Sequence, residues 1–394
     1  MTSRPTVTGT PSLLRTLNDR ATLGLLIDHG VLSRAEICAA SGLSKPTAGQ
    51  CLQRLMTLGL VTQAGSRTGN VGPAAQLYQV NPSAAYGLAV DVMDDGVLAR
   101  ATTPQGEVVA ETSLKPEGRA VAGVMAALFE ELTAELPVTE ATRWSMVIGV
   151  AGPYDATDDV VRHSGHLSPR IRGLDQPGVV RRVQEAVPAR VSVENDVKLV
   201  ALAESALGAA IEAESSVMLW AQGGVGSATV IDGRVHRGTT GSAGELDFLP
   251  VARMSGSGDQ WQNGFQAWAN REAVAQLGGE HGLSGSPREM IAQAVADPEA
   301  GQAFLQELAE RYATGIAALV AVVDPDLVVL SGSYMFAGGD ELARRIEAAV
   351  AERAMRAVPV AIGHLQDQPV LAGASKLADR QLREVLLEAV GPTA

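Results

Sequence analysis

The stretch YGLAVDVMDDGVLARATTPQGEVVAE, residues 86–111, decides the fold because its pattern returns later in the chain. It predicts strand, acidic turn, strand, glycine-containing turn and strand. The same order recurs in SVMLWAQGGVGSATVIDGRVHRG, residues 216–238. Two similar halves indicate a two-lobed body that holds a ligand in the cleft between the halves. Elsewhere beyond residue 81, strand-like runs alternate with alanine-rich helical runs, which predicts an α/β fold.

Length and composition are those of a globular protein. With 394 residues, of which 46% are hydrophobic, the chain can bury a large core without disulfide bonds. Its two cysteines, Cys38 and Cys51, are too few for a disulfide framework or a four-cysteine metal site, which favours a reducing compartment. The apolar run at 315–323 ends at Asp324, too short to span a membrane, and residues 1–12 contain no apolar export signal. We therefore expect a cytoplasmic protein.

The net charge of −13 is divided unevenly along the chain. Residues 1–80 contain seven Lys and Arg against three Asp and Glu, or +4, whereas the remainder contains 24 against 41, or −17. An acidic body repels nucleic acid, so a polyanion would bind the first 80 residues. A predicted hinge, NPSAA (81–85), separates a DNA-binding domain, 1–80, from the body, 81–394.

Residues 12–61 have the pattern of a helix-turn-helix. Apolar residues at helical spacing predict a first helix over 12–30, and Ser33 with Glu36 is a capping-box signal for a second. Gly42 ends the second helix, and Ser44 caps a third. This spacing is typical of a DNA-binding helix-turn-helix.

The third helix has an apolar and a polar face. The residues expected to face the core are Ala48, Cys51, Leu52, Leu55 and Leu58. The polar face carries groups that hydrogen-bond bases or neutralise phosphates. With Arg67, near the tip of a wing predicted over residues 60–80, the predicted DNA contacts are Ser44, Lys45, Thr47, Gln50, Gln53, Arg54 and Arg67. The alternative is a three-helix unit that binds another protein.

Polar segments follow predicted strands of the acidic body: VIGVAGPYD (147–155), VSVENDVKLVALAES (191–205) and HRGTTGSAGELDFLPV (236–251). Asn195 and Asp196 stand at a strand-to-helix junction, and Glu245 lies in the glycine-rich segment. Fixed amide and carboxylate groups suit a hydroxyl-rich ligand such as a sugar, and an Asp so placed can act as a general base. The alternative for Asn195 and Asp196 is a simple helix cap.

These residues, in this order, resemble the ROK family (repressor, open reading frame, kinase). The likeness covers nearly the whole chain, and its most specific elements are SGLSKPT with LMTLGLV, GVAGPYD, ENDVKLVALAE, DGRVHRGTTGSAGE and DPDLVVLSG. It implies a winged helix-turn-helix followed by a two-lobed, sugar-kinase-like body of the actin/hexokinase type. The effector-binding residues that follow from the resemblance and the polar segments are Gly152, His166, Asn195, Asp196 and Glu245. Because the family contains both kinases and transcription factors, the resemblance leaves the activity open.

The chain departs from the family's kinases at the first hairpin turn. The kinases carry Asp-x-Gly-Gly-Thr, whose glycines let backbone N–H groups approach the nucleotide phosphates. Here Asp91 remains, but Met93, Asp94 and Asp95 replace the two glycines and the threonine. A like-charge contact near 4 Å costs about 1 kcal/mol in water and about 4 kcal/mol at an intermediate dielectric. We therefore expect no tight ATP binding, and we attribute the glycines of the second turn (222–226) to hairpin geometry.

Further departures concern metal, effector and wing. Family members with a structural zinc use a His after the Gly-Glu motif and several cysteines, whereas Phe248 takes the His position and no cysteine follows Cys51. We expect no metal and no cofactor, and an effector site altered at Phe248 and Gln266. In the wing, Val-Gly-Pro at 71–73 replaces the Gly-Arg-Pro of family regulators, which leaves Arg67 as the candidate for groove contact.

The sequence therefore favours a DNA-binding transcriptional regulator, a repressor of sugar metabolism, over an enzyme. We expect a homodimer or homotetramer that binds a double-stranded DNA operator and responds to a sugar or sugar-derivative effector. One alternative is a sugar kinase in which Asp196 abstracts the hydroxyl proton. Another is a regulator that binds DNA without any ligand.

Overall fold

The computed structural model describes residues 11–68, 74–163, 170–250 and 264–391. Its first part, the head, has three helices: α1 (Pro11–His29), α2 (Arg34–Ser41) and α3 (Lys45–Thr57). Its strands are β1 (Leu32–Ser33), β2 (Val61–Arg67) and β3 (Ala75–Val80), in the order β1-β3-β2. The head is therefore the predicted winged helix.

Local signals set the helix ends of the head. Ser33 and Glu36 form the capping box: the Ser33 hydroxyl accepts the Glu36 N–H at 3.3 Å, and the Glu36 carboxylate accepts the Ser33 N–H at 2.7 Å. Gly42 follows α2 with a φ of 72°. The Ser44 hydroxyl accepts the Thr47 N–H at the start of α3. The predicted caps of the helix-turn-helix are confirmed.

The first lobe is built on a five-stranded sheet in the order β12-β8-β4-β5-β6. Its strands are β4 (Ala85–Val92), β5 (Val97–Thr102), β6 (Val108–Leu114), β8 (Arg143–Val150) and β12 (Arg190–Asn195). β8 and β12 run parallel to β4, whereas β5 and β6 return antiparallel. Outside this sheet, the described residues of the lobe form α4 (Val121–Thr133), α5 (Val179–Ala186), β7 (Arg119–Ala120), β9 (Tyr154–Asp155), β10 (Val160–Val161) and β11 (Ile171–Arg172).

The second lobe repeats this arrangement. Its strands are β13 (Ser215–Ala221), β14 (Val225–Ile231), β15 (Arg234–Val235), β16 (Leu327–Ser331) and β17 (Val360–Ile362), in the order β15-β14-β13-β16-β17. β13 takes the place of β4, with an antiparallel hairpin on one side and two parallel strands on the other. The described residues of this lobe form the helices α7 (Phe265–Ala269), α8 (Arg271–Glu280), α9 (Pro287–Ala296), α10 (Pro298–Val323) and α11 (Ser333–Ala351). The repeat predicted from the two hairpins is confirmed.

Two helices, α6 (Asp196–Leu207) and α12 (Pro369–Glu388), connect the lobes. On α6, Val200 packs with Met218 of the second sheet, while Leu199 packs with Val147 of the first. Leu371 of α12 belongs to the same cluster as Leu199. The first residues of α6 therefore lie where the two lobes meet.

The far end of α12 packs against the head. Leu382 and Leu386 are buried in one apolar cluster with Leu23 of α1 and Leu55 of α3. Arg20 Nε of α1 also donates to the Leu387 carbonyl at 3.0 Å. A division into 1–80 and 81–394 matches the end of β3 but leaves out this contribution of α12 to the head's core.

The apolar run at 315–323 forms the last turns of α10. The helix ends at Val323, and Asp324 has a φ of 51°. No helix within the four described ranges is long and apolar enough to cross a membrane.

Candidate effector cleft and DNA-binding face

A cavity of about 410 Å³ lies between the lobes at the start of α6. Four of the five predicted effector residues line it, namely Gly152, Asn195, Asp196 and Glu245. The fifth, His166, lies outside the described residues. His163 and Gln266 also line this cavity, which we call the effector cleft. Residues that are far apart in the sequence thus converge on one site.

Asn195 both caps α6 and positions its neighbour. Its Oδ1 accepts the Lys198 N–H at 3.1 Å, so the helix-cap alternative describes part of its role. Its Nδ2 donates to Asp196 Oδ1 at 3.0 Å, and the same oxygen accepts the Val197 N–H at 2.7 Å. Burial nevertheless raises the pKa of Asp196 to about 6. Asn195 therefore holds the Asp196 carboxylate in the cleft, where burial disfavours its charge. A ligand hydroxyl that donates a hydrogen bond to this carboxylate would reduce that desolvation cost.

Gly152 is required by the path of the backbone beside the cleft. Its φ is 105°, and a Cβ at this position would lie 2.4 Å from the Arg162 carbonyl oxygen. Any side chain would clash with backbone here. Gly152 thus brings the chain close to the cleft.

A buried lysine, Lys198, supports the glycine-rich loop of the cleft, and sequence reasoning missed it. Lys198 is 1% exposed, and its ammonium group donates to the Gly241 carbonyl. Burial lowers its pKa, while the carboxylates of Glu194 and Glu245 act in the opposite direction. The sequence contains a signal for it: Lys198 lies three residues after the cap Asn195, and the apolar residues around it predict that this helix is buried.

A second, acidic cavity of about 640 Å³ adjoins the effector cleft and shares Asp196 and Trp220 with it. Asp91, Asp94 and Asp95 of the first hairpin line this cavity. Asp91 is 7% exposed, and its pKa is raised to about 7, first by burial and then by the charge of Asp196. The acidic turn therefore lines the cavity next to the effector cleft, together with Arg288.

The residues present do not form the family's zinc site. Phe248 stands at the His position, and its ring centroid lies 5.5 Å from that of His163. The segment 249–263 contains no Cys or His. Zinc sites of the structural type need about four nitrogen or sulfur ligands, and these positions supply none. Gln266, at the position of a family glutamate, accepts the Val225 N–H at 3.0 Å and so closes one side of the cleft.

The apolar face of α3 is close to the prediction. Ala48, Cys51, Leu52 and Leu55 are buried, whereas Leu58 is 41% exposed. The prediction for Leu58 is wrong because α3 ends at Thr57 and the helical spacing stops there. On the other face Lys45, Gln50 and Gln53 are exposed, and the Ser44 and Thr47 hydroxyls lie 2.8 Å apart at the start of the helix.

Arg54 does not belong to that outward face. Its Nε and Nη2 donate to the two carboxylate oxygens of Asp19 on α1, at 2.8 and 2.6 Å. Asp19 is 6% exposed, so it needs this cation. We therefore correct the placement of Arg54: it holds α3 to α1. Arg34 instead presents an exposed guanidinium beside Lys45 that pairs with no residue in the described part of the chain, and sequence reasoning missed it.

Arg67 lies at the end of β2, as predicted for a residue near the tip of the wing. Its Nη1 forms an exposed ion pair with Glu36 of α2 at 2.8 Å. The Val-Gly-Pro of the wing, 71–73, lies outside the described residues. Exposed pairs of this kind contribute about 0–1 kcal/mol, so Arg67 can exchange Glu36 for a phosphate.

A winged helix joined to two lobes of the same strand order, with a cleft between them, defines a protein with a DNA-binding head and a body of the actin/hexokinase type. The ROK family profile matches residues 88–381, and a winged helix-turn-helix DNA-binding profile matches residues 15–62. The chain belongs to the ROK family.

Similar proteins span both branches of this family. A xylose repressor of Caldicellulosiruptor bescii is 21% identical over 396 residues, which cover 93% of this chain and 96% of the repressor. A crystal structure of a ROK family transcriptional regulator, a homologue of the E. coli MLC protein, has a TM-score of 0.75 at 20% identity and covers 96% of this chain and 99% of that one. A ROK hexokinase from Thermus thermophilus has a TM-score of 0.63 at 24% identity, over 76% of this chain and 99% of the enzyme. The regulators share the head as well as the body.

Proposed function

We propose that this protein is a DNA-binding repressor that responds to a sugar or sugar derivative and has no kinase activity. The observation that carries the proposal is the pairing of an effector cleft that keeps Asn195, Asp196 and Glu245 with an acidic turn, Asp94 and Asp95, where a nucleotide would need glycines. Hydroxyl-binding groups are present, whereas phosphate-binding groups are replaced by carboxylates. Whole-length similarity to a xylose repressor supports the class.

The start of α3 is the proposed DNA-contacting surface. Lys45 neutralises phosphate, and Thr47, Gln50 and Gln53 offer hydroxyl and amide groups for base edges. We add Arg34 to this surface because its exposed cation lies beside Lys45. In a homodimer or homotetramer, two such helices would bind the two halves of a palindromic operator.

The effector would act through the relative position of lobes and head. A ligand changes DNA affinity only if it binds one arrangement more tightly than another. α6 begins in the effector cleft and packs against α12, whose far end packs against α1 and α3. Closure of the cleft on a sugar would therefore displace the helix that holds the head.

The experiment has two readouts with one variant. Purified protein is used to select genomic DNA fragments, and their affinity is measured by fluorescence anisotropy with and without a panel of pentoses, hexoses and amino sugars. Thermal shift against the same panel reports ligand binding directly. Asp196→Ala should abolish the sugar-dependent change in both readouts while DNA affinity without sugar stays within threefold.

Asp175→Ala is the matched control, because Asp175 is an exposed carboxylate outside both cavities. A sugar response that persists in Asp196→Ala would refute the assignment of the cleft. Firm DNA binding with no thermal shift for any sugar would favour the ligand-independent regulator. ADP release with any sugar of the panel and ATP would establish the kinase alternative instead.

A further inference from the structure

A third cavity, of about 560 Å³, lies between β12, the loop after β15 and α12. It shares no lining residue with the effector cleft or the acidic cavity. Four arginines line it: Arg190, Arg234, Arg237 and Arg380. We call it the arginine pocket. Such a concentration of cations is unexpected in a body that carries 24 basic against 41 acidic residues.

Only part of this positive charge is neutralised within the protein. Arg190 pairs with Glu384 at 3.3 Å, and Arg237 pairs with the buried Glu194. The guanidinium groups of Arg234 and Arg380 take part in no ion pair or hydrogen bond with the residues that the structure describes. The lining therefore has two positive charges in excess.

The unpaired arginines approach one another at the turn between β14 and β15. A Cβ on Gly233 would lie 3.7 Å from Arg380 Nη2, which places that guanidinium against the residue before Arg234. The pKa of Arg380 is lowered, first by partial burial and then by the charges of Arg234 and Arg237. The three cations repel each other, and a bound anion would offset this repulsion because each cation attracts it.

The wall that carries Arg380 is held rigidly. On the next residue of α12, Gln381 Oε1 accepts the Ser145 hydroxyl at 2.8 Å, and Gln381 Nε2 donates to the Ser192 hydroxyl at 2.7 Å. These bonds fix α12 on β8 and β12. A ligand between α12 and the loop would therefore meet a preformed surface, which reduces the entropy lost on binding.

We propose that the arginine pocket binds a small molecule that carries a phosphate group. Guanidinium groups bind phosphate oxygens in pairs through parallel N–H groups. A volume of about 560 Å³ is within the range of small-molecule sites, so the pocket has room for an organic part beside the phosphate. The Thr239 hydroxyl and Gln381 also line the pocket and offer polar contacts to that part.

The arginine pocket lies close both to the loop of the effector cleft and to the contact between α12 and the head. Arg237 and Gly241 belong to the loop that carries Glu245 of the effector cleft. Arg380 lies one helical turn before Arg383, whose Nη2 donates to Asp28 of the head at 3.0 Å. If the phosphate ligand changes sugar affinity, the sugar must change phosphate affinity by the same factor.

The test is isothermal titration of the full-length protein with inorganic phosphate and with a panel of sugar phosphates, at constant ionic strength in a buffer without other oxyanions. We expect saturable binding, and at least a tenfold rise in Kd for Arg380→Gln and for Arg234→Gln. Arg181→Gln, which removes an exposed arginine from α5, is the matched control and should bind as the wild type does. Thermal unfolding of each free variant checks its folding.

The outcomes distinguish an organic phosphate from inorganic phosphate, and the arginine pocket from the effector cleft. Tighter binding of an ester than of inorganic phosphate would assign the pocket to an organic phosphate, and equal binding would assign it to the inorganic ion. Asp196→Ala should leave phosphate binding intact, so failure of the effector proposal would not affect this one. Binding that is absent, or equal in Arg380→Gln and the wild type, would overturn the proposal. So would a loss of DNA affinity in Arg380→Gln without phosphate binding, which would make the pocket a DNA contact.

Discussion

The two lobes share one strand order but differ at the turn of the first hairpin. In the first lobe, Val92 pairs with Val97 across residues 93–96, which include Asp94 and Asp95. In the second, Ala221 pairs with Val225 across residues 222–224, which include two glycines. One strand position before the turn, Asp91 of the first lobe corresponds to Trp220 of the second. Each turn closes the first hairpin of its lobe, although the residues of the two turns differ. The strand order of the lobes therefore does not depend on the chemistry of these turns.

The glycines of the second turn have another cause than the one predicted. No glycine between 222 and 226 has a positive φ, so hairpin geometry does not require them. A Cβ on Gly224 would lie 2.9 Å from Gln266 Nε2, and one on Gly226 would lie 2.9 Å from Val197 Cγ2. These glycines make room for side chains of the cleft. In the first turn, a Cβ on Gly96 would meet nothing closer than the Leu114 carbonyl oxygen at 3.5 Å.

The largest expected effect on ligand affinity comes from giving the first turn the chemistry of the family's kinases. In the triple variant Met93→Gly, Asp94→Gly, Asp95→Thr, two carboxylates are removed and backbone N–H groups become accessible. At 1–4 kcal/mol for each like-charge contact, ATP affinity should rise by about 100-fold, or near 3 kcal/mol. Titration with a fluorescent ATP analogue and magnesium measures it.

The control for this variant removes two carboxylates elsewhere, as Glu130→Gln with Glu131→Gln on α4, where both residues are exposed. It should leave ATP affinity unchanged. If the triple variant binds ATP no better than the wild type, the acidic turn is not what excludes nucleotide.

The next effect compares a glycine of each hairpin. Gly226→Ala should lower the free energy of unfolding by about 1–3 kcal/mol, because its Cβ would press on Val197, which is largely buried on α6. Gly96→Ala, the matched change in the first lobe, should stay within about 0.5 kcal/mol of the wild type. Urea unfolding at pH 7.5 gives both values. Equal losses would mean that the two turns are under the same steric constraint.

The last effect concerns the stability contributed by Asp91 and depends on pH. Its pKa is raised in the folded state to about 7, so the folded protein holds this proton more tightly than the unfolded chain does. Stability that Asp91 contributes at low pH is then lost as the pH rises through 7. Asp91→Asn should therefore be more stable than the wild type by up to about 4 kcal/mol at pH 8, and by much less at pH 4. Thermal unfolding at the two pH values measures the difference, and an identical gain at both would contradict the assignment to Asp91.

Features set by near neighbours in the chain could be predicted from the sequence. The caps at Ser33, Gly42 and Ser44 depend on contacts within about four residues, so their pattern is visible locally. The two-lobed body was predictable because its hairpin pattern occurs twice. Asn195, Asp196 and Glu245 could be assigned to one cleft because strand ends meet at one edge of each lobe.

Features set by distant residues could not be predicted. Arg54 was placed on the outward face because nothing near it indicates the pair with Asp19, 35 residues away. The role of Lys198 is not visible in the sequence because its acceptor, Gly241, lies in another segment. The arginine pocket likewise joins residues from β12, β15 and α12, whose approach depends on the packing of both lobes.

The packing of α12 on the head has a consequence for how the chain folds during its synthesis. The head is made before the body, yet its apolar core includes Leu382, Leu386 and Val390, made roughly 300 residues later. Domains that fold as units usually fold in the order in which they are made. Here, however, the head completes its core only after α12 has been made. A chain that stops within the body would carry an incomplete head, so abandoned fragments would not occupy operators without the part that reads the effector.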